Sequence, residues 1–448
     1  MNMKSLYRPL LVAGLGIFSL AACREVQFTE SQELPEIFPD YVGVTVPESM
    51  TDLPFEMADG REMSYEKERI GDTLFFRVKA WEKGSSEGVA YAPFKVYVSH
   101  DEIDPYIAYR LIEPSYEGWK FMGIYSRKLV SFEEKAVVRN SATGGGCVNC
   151  HNFQSGHAER MMFHARGKGG GTVFKNGQDM RLLNLTTVGP NRQGVYPAWH
   201  PDGRYLCFSS NSTHQSFPLT GSQPIEVYDT SSDLILMDTA TDSVTTYAPI
   251  YRPDEMETFP AWSPDGRILY YCSAPQIEDV AENRAQIHYS LKAVRFEDGA
   301  FTGEPWTVFA SDTLSVSFPR VYDKWLLFTV SSYGTFPIWH KEADLWLMDL
   351  EDGSVRPVDE VNSDDTESYH SWSSNGRWIV FSSRRIDGRY TRLYFSHFDG
   401  KGHFTKPFLL PQEDPGHNTL RLKSYNIPEF VLEDPGELSD DVKELFGL

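Results

Sequence analysis

Apolar residues in the second half of this chain come in short runs, rich in aromatic and β-branched side chains, and each run is bounded by turn formers. The runs 205–210, 268–273 and 378–383 follow Pro-Asp-Gly-Arg twice and Ser-Asn-Gly-Arg once. Ahead of these turns stand Tyr196-Pro-Ala-Trp199, Phe259-Pro-Ala-Trp262 and Tyr369-His-Ser-Trp372. A fourth copy keeps Phe318-Pro319 and the run 325–330, and its turn is read as lost. Pro-Asp-Gly between apolar runs predicts a tight hairpin, with Gly at positive φ and Asp or Asn bonding its own backbone. Further strands are expected at 233–238, 287–292, 344–349 and 392–396. Self-similarity at 50 to 63 residues means a repeat architecture. Four antiparallel strands per repeat, stacked radially, make a β-propeller.

The phrase Trp-x-Pro-Asp-Gly-Arg resembles the WD40-like repeat (PD40) of TolB-like propellers, over roughly 160–430. The resemblance implies an all-β chain with five or six blades over 141–432 and a role in partner binding. It is nearly silent on function, because propellers host many activities. A late segment around 423–430 is expected to supply a strand that closes the ring.

Upstream, alternation at 73–80, 94–99 and 106–112, with a further strand at 119–125, predicts a β-sandwich over 46–140. Residues 23–45 read as a tether and 433–448 as an acidic tail with a short helix. Lys4 and Arg8 precede an apolar stretch too short to span a bilayer, which ends in Leu-Ala-Ala-Cys23. This resembles a bacterial lipobox, which implies a signal peptide over 1–22, lipidation of Cys23 and a membrane anchor at the cell envelope. A net charge of −21 without any basic run argues against nucleic acid as a partner.

Composition alters the picture at one place. Cys147-Val-Asn-Cys150-His151 carries the attachment signature of c-type haem, both thiols on the cofactor and His151 on the iron. His157, Met161, Met162 and His164 are candidates for a further ligand. Two alternatives stay open: a structural zinc site from Cys147, Cys150, His151 and His164 or His157, and a disulfide or free thiols. Cys207 and Cys272 read as core residues.

No His-Glu-x-x-His or phosphate loop is present, and the string Gly84-Ser-Ser86-Glu-Gly88 lies between strand-like runs without the strand-to-helix setting of a nucleophile elbow. The face opposite the Pro-Asp-Gly turns carries the longer loops, and His214, His370, Arg384, Arg385 and His417 are expected around a channel mouth there. The sequence therefore supports an envelope-anchored binding or scaffold protein with a haem c, for electron transfer or redox sensing. The alternative is a non-redox scaffold for a protein or glycan. A glycan-active enzyme with paired carboxylates at the channel mouth stands third.

Overall fold

The computed structural model describes residues 26–113, 121–167, 170–183, 185, 194–217 and 225–448. The expected signal peptide and Cys23 lie outside them. Six four-stranded antiparallel sheets form a six-bladed β-propeller. Five blades are continuous in sequence, and their innermost strands are Val148–Gln154 (blade two), Val195–Trp199 (three), Glu255–Trp262 (four), Ser315–Tyr322 (five) and Glu367–Trp372 (six). Blade one is composite. Tyr106–Ile112, Gly123–Lys128 and Glu134–Arg139 provide its outer three strands, and Ser424–Val431 completes it from within.

The repeated phrase explains how blades join. Asp202 Oδ1 accepts from Arg204 N–H at 2.8 Å, and Asp265 and Asn375 do the same for Arg267 and Arg377 at 3.1 and 3.0 Å. Gly266 and Gly376 have φ of +71° and +63°. A Cβ on either would collide with His200 or Tyr322 of the preceding blade, so glycine lets adjacent turns touch. The tryptophans tie the same neighbours. Nε1 of Trp199, Trp262 and Trp372 donates to the carbonyl of Asn152, Ala198 and Arg320, at 3.4, 3.0 and 3.2 Å.

Every innermost strand also carries one non-glycine residue at positive φ: Cys150, Tyr196, Phe259, Phe318, Tyr369 and Ile427, all between 50° and 52°. Each coincides with a shift of register against the second strand, so each strand bulges at the same depth. The six positions are structural equivalents, which places Cys150-His151-Asn152-Phe153 in register with Tyr369-His370-Ser371-Trp372.

Three expectations need correction. Blade five has not lost its turn, because Tyr322 pairs with Trp325 across a two-residue hairpin with Asp323 at φ +51°. The segment 46–140 does not form a sandwich. Its strands from Tyr106 onward belong to blade one, while Glu62–Ile70, Thr73–Trp81, Glu87–Ala90 and Phe94–Ser99 build a single six-stranded sheet with Gln27–Glu30 and Thr45–Pro47. The tether over 23–45 is likewise structured from Gln27 onward, and Tyr41 and Val44 are fully buried. That sheet packs Leu74, Phe76, Val78, Phe94 and Val96 against Trp378, Val380, Leu393 and Phe395 of blade six in one shared core. The tail helix Ser439–Leu445 buries Val442 among Val137, Val138 and Val148 of blades one and two.

Candidate functional site: the axial cavity

The bulges aim the equivalent side chains at the propeller axis. Ring centroids of Tyr196 and Phe259 lie 4.4 Å apart, Phe259 and Phe318 4.0 Å, and Phe318 and Tyr369 4.8 Å. With Cys150 and Ile427 these rings plug the channel at mid-depth. Beyond the plug, the long hairpin of blade three (Tyr205–Ser216 and Glu226–Asp238) leans across the face. There Tyr333 Oη donates to Glu226 at 2.8 Å and Gln276 Nε2 to the Thr230 carbonyl at 3.0 Å.

On the Pro-Asp-Gly side the plug is the floor of a cavity of about 420 Å³. Trp199, Trp262, Tyr322 and Trp372 form its walls, and its polar lining comes from Asp104, His151, Arg320, His370 and Glu429. Asn152, Arg320, Ser371 and Glu429 occupy the third place of the repeated phrase, which is Ala198 and Ala261 in the intact copies.

These polar groups are incompletely partnered. Glu429 Oε1 accepts from Asn152 Nδ2 at 2.7 Å and from Phe153 N–H at 3.0 Å, while its buried Oε2 has no partner. Burial pushes this carboxyl up to about 8 against the pull of Arg320. Burial also lowers the Arg320 guanidinium, whose hydrogen bond is to its neighbour's Pro319 carbonyl at 2.9 Å. His370 donates through Nε2 to the Leu327 carbonyl at 2.9 Å and leaves Nδ1 unpartnered. Neither ring nitrogen of buried His151 closes a hydrogen bond of good geometry, although backbone at Ala108 and Ile427 stands nearby. Burial holds both histidines at about 3, hence neutral at ordinary pH. Asp104 sits at the rim and accepts from Ser374 N–H at 2.7 Å and Oγ–H at 2.5 Å.

The residues singled out from sequence are dispersed. His370 lines the cavity, on the Pro-Asp-Gly side rather than the opposite one. Arg384 lies 3.4 Å from Asp365, and Arg385 donates to Glu367 at 2.8 Å. His214 stacks on Tyr228 of the blade-three hairpin. His417 belongs to a separate pocket with Arg127, Glu134 and Arg421. Sequence reasoning did not single out Arg320, Glu429 or Asp104.

The cysteine segment is extended strand rather than helix. Cys147 is buried just before the strand, Cys150 lies in the plug and His151 borders the cavity. Burial raises the Cys150 thiol. His164 pairs across the ladder with Asn149 rather than His151, and its Nδ1 meets Thr172 Oγ1 at 2.9 Å. His157 faces Glu433 at 3.3 Å, while Met161 and Met162 pack into separate hydrophobic clusters. Among the described residues, no three His, Cys, Asp or Glu side chains are grouped to hold a metal ion.

No protein-family model matches the chain, and no curated protein does. Solved structures match it as propellers. An oligogalacturonate lyase in complex with manganese is 12% identical over 69% of this chain and 74% of its own, with a TM-score of 0.37. The β-propeller domain of the trilobed protease from Pyrococcus furiosus is 11% identical over 87% of this chain and 99% of its own, at 0.35. A puromycin hydrolase is 12% identical over 81% of this chain and 50% of its own, at 0.36. Likeness at this level concerns the fold alone, and the chain is described by what its own residues build: a six-bladed β-propeller closed by its last strand.

Proposed function

We propose that this propeller is an envelope-anchored binding protein whose axial cavity takes a small organic ligand bearing a carboxylate or similar anion. The observation that carries the reading is the set of unpartnered polar atoms around one aromatic-walled cavity, Glu429 Oε2, His370 Nδ1 and both His151 nitrogens, beside a buried Arg320 guanidinium whose hydrogen bond is to the Pro319 carbonyl. Buried polar atoms are costly unless a partner meets them, and a ligand is one source of partners. At neutral pH Glu429 keeps its proton, so Arg320 supplies the cavity's positive charge and suits a planar anion. The apolar walls suit the body of such a ligand. The lipobox-like segment at 1–23 supports anchorage through Cys23.

In this reading the Cys147–His151 segment serves the fold. Cys150 and His151 are blade two's copy of the repeated phrase, and a c-type haem would need both thiols and the imidazole to converge on one flat ring. Here they are strung along a strand, in the plug and beside the cavity. The test has two parts. Calorimetric titration of the purified protein with a panel of small carboxylates should give binding that Arg320→Ala abolishes, and a panel without a binder would sink the proposal. A reduced visible spectrum, from a host competent in cytochrome c maturation, should be featureless. Sharp bands lost in Cys147→Ala would instead restore the haem reading.

A second reading rests on Glu429 itself. A carboxyl raised to about 8 inside a cavity is suited to donate a proton, so an acid-catalysed reaction on a glycan is the competitor. Glu429→Gln should leave ligand affinity largely intact under the first reading and abolish turnover under the second.

A further inference from the structure

Blades four and six carry a glutamate at the same place, two residues before the axial aromatic: Glu257 before Phe259 and Glu367 before Tyr369. Both are fully buried. Each pairs in register with a serine of the next strand, Glu257 with Ser273 and Glu367 with Ser383. Each also has within electrostatic reach an aspartate of the preceding blade's third strand, inside Glu226–Asp238 in blade three and first in Asp344–Asp349 in blade five. Asp233 opens Asp-Leu-Ile-Leu-Met-Asp in blade three, and Asp344 opens Asp-Leu-Trp-Leu-Met-Asp in blade five. Asp233 is the charge that most strongly opposes ionisation of Glu257, and Glu367 is the one that most strongly opposes that of Asp344.

The two interfaces differ in what satisfies the carboxylates. Glu367 accepts four hydrogen bonds: from Ser363 N–H at 2.9 Å, Ser363 Oγ at 2.7 Å, Ser383 Oγ at 2.7 Å and Arg385 Nη2 at 2.8 Å. In blade four none of these donors reaches the carboxylate. Ser363 is replaced by Pro253, which has no N–H, and Arg385 by Pro275. Ser273 Oγ is turned to Glu255 at 2.7 Å. Nearby cations are committed elsewhere, Lys292 to Glu255 at 2.6 Å and Arg252 to Asp254 at 3.2 Å. Both oxygens of Glu257 therefore lack a partner, with the Arg252 main chain close by without closing a bond. The buried hydroxyl of Tyr271, which senses the Glu257 charge more than any other, is unpartnered as well.

We infer that the interface of blades three and four holds a divalent cation between Glu257 and Asp233, in the place that Arg385 fills between blades five and six. Two carboxylates call for two positive charges, and an all-oxygen donor set selects a hard ion such as Ca²⁺, Mg²⁺ or Mn²⁺. Asp233 is half-buried, so the ion enters from its side, and water completes the coordination. The site is separate from the axial cavity and does not depend on what that cavity binds.

The full chain, stripped with chelator and dialysed, is titrated with CaCl2, MgCl2 and MnCl2 while its melting temperature and metal content are followed. One of the three should raise the melting temperature by about 3 °C at a hundredfold excess over its dissociation constant and remain bound at one ion per chain. Asp233→Asn and Glu257→Gln should each remove both effects. Pro275→Arg, which restores the guanidinium of the sister blade, should keep the protein folded and make it indifferent to metal. Absence of any shift or retained ion in the unaltered chain overturns the inference, as does a shift that survives in both carboxylate variants. Asp233→Asn, at a half-buried position, keeps the test valid should Glu257→Gln fail to fold.

Discussion

Glu429→Gln isolates the energetics of the axial cavity. Gln keeps an oxygen for Asn152 Nδ2 and Phe153 N–H and removes only the charge. The native carboxyl stands at about 8 against 4.5 for a free glutamate, and at 1.36 kcal/mol per pK unit that gap is on the order of 5 kcal/mol. Because the folded-state value is the higher one, this stability is fully present below pH 4.5 and is lost as pH rises to 8. About 3 kcal/mol of it is already gone at pH 7. Urea unfolding of both proteins at pH 5, 7 and 9 measures it. Native and variant should agree within about 1 kcal/mol at pH 5, and the variant should be the more stable by several kcal/mol at pH 9. Glu257 titrates in the same sense and the same range but is common to both proteins, so the difference belongs to Glu429. Parallel stability across the three pH values would refute the account of a desolvated, protonated carboxyl.

Two more expectations follow from packing. Trp262→Phe removes the Nε1 bond to the Ala198 carbonyl that joins blades three and four, and should cost about 1–3 kcal/mol in urea melts. Phe259→Ala opens the axial plug at a residue 1% exposed. It should cost about 3–5 kcal/mol, and the emptied space should bind a small apolar probe that the native protein rejects.

The repeat was legible because Trp-x-Pro-Asp-Gly-Arg encodes local geometry, a turn with its own hydrogen bond and a Trp that reaches the blade before. Blade one was not, since it lacks the phrase and draws strands from both ends of the propeller. A blade strand and a sandwich strand alternate alike, so Tyr106–Ile112 read as a sandwich. The closing strand was legible as the late segment around 423–430, which the structure extends to Ser424–Val431. In the cavity, His370 was noticed for its residue type and placed on the wrong face. Arg320 and Glu429 were missed, although a signal was available. The third place of the phrase is Ala in the intact copies and becomes Asn152, Arg320, Ser371 and Glu429 in the worn ones. The places where copies depart from the repeat are where the cavity acquires its chemistry.

Closure of the ring by Ser424–Val431 against Tyr106–Ile112 also sets the order of events during synthesis. Blades two to six contain their own strands and can pair as they emerge, but the inner edge of Tyr106–Ile112 must wait for more than 300 further residues. Pairings of such separation are slow, and an open edge is a template for foreign strands meanwhile. The six-stranded sheet ahead of blade one is made first, yet the blade-six face it covers is among the last to appear. The N-terminal sheet and blade one therefore both depend on the last-made part of the chain for their partners, one for the blade-six face it covers and the other for its innermost strand.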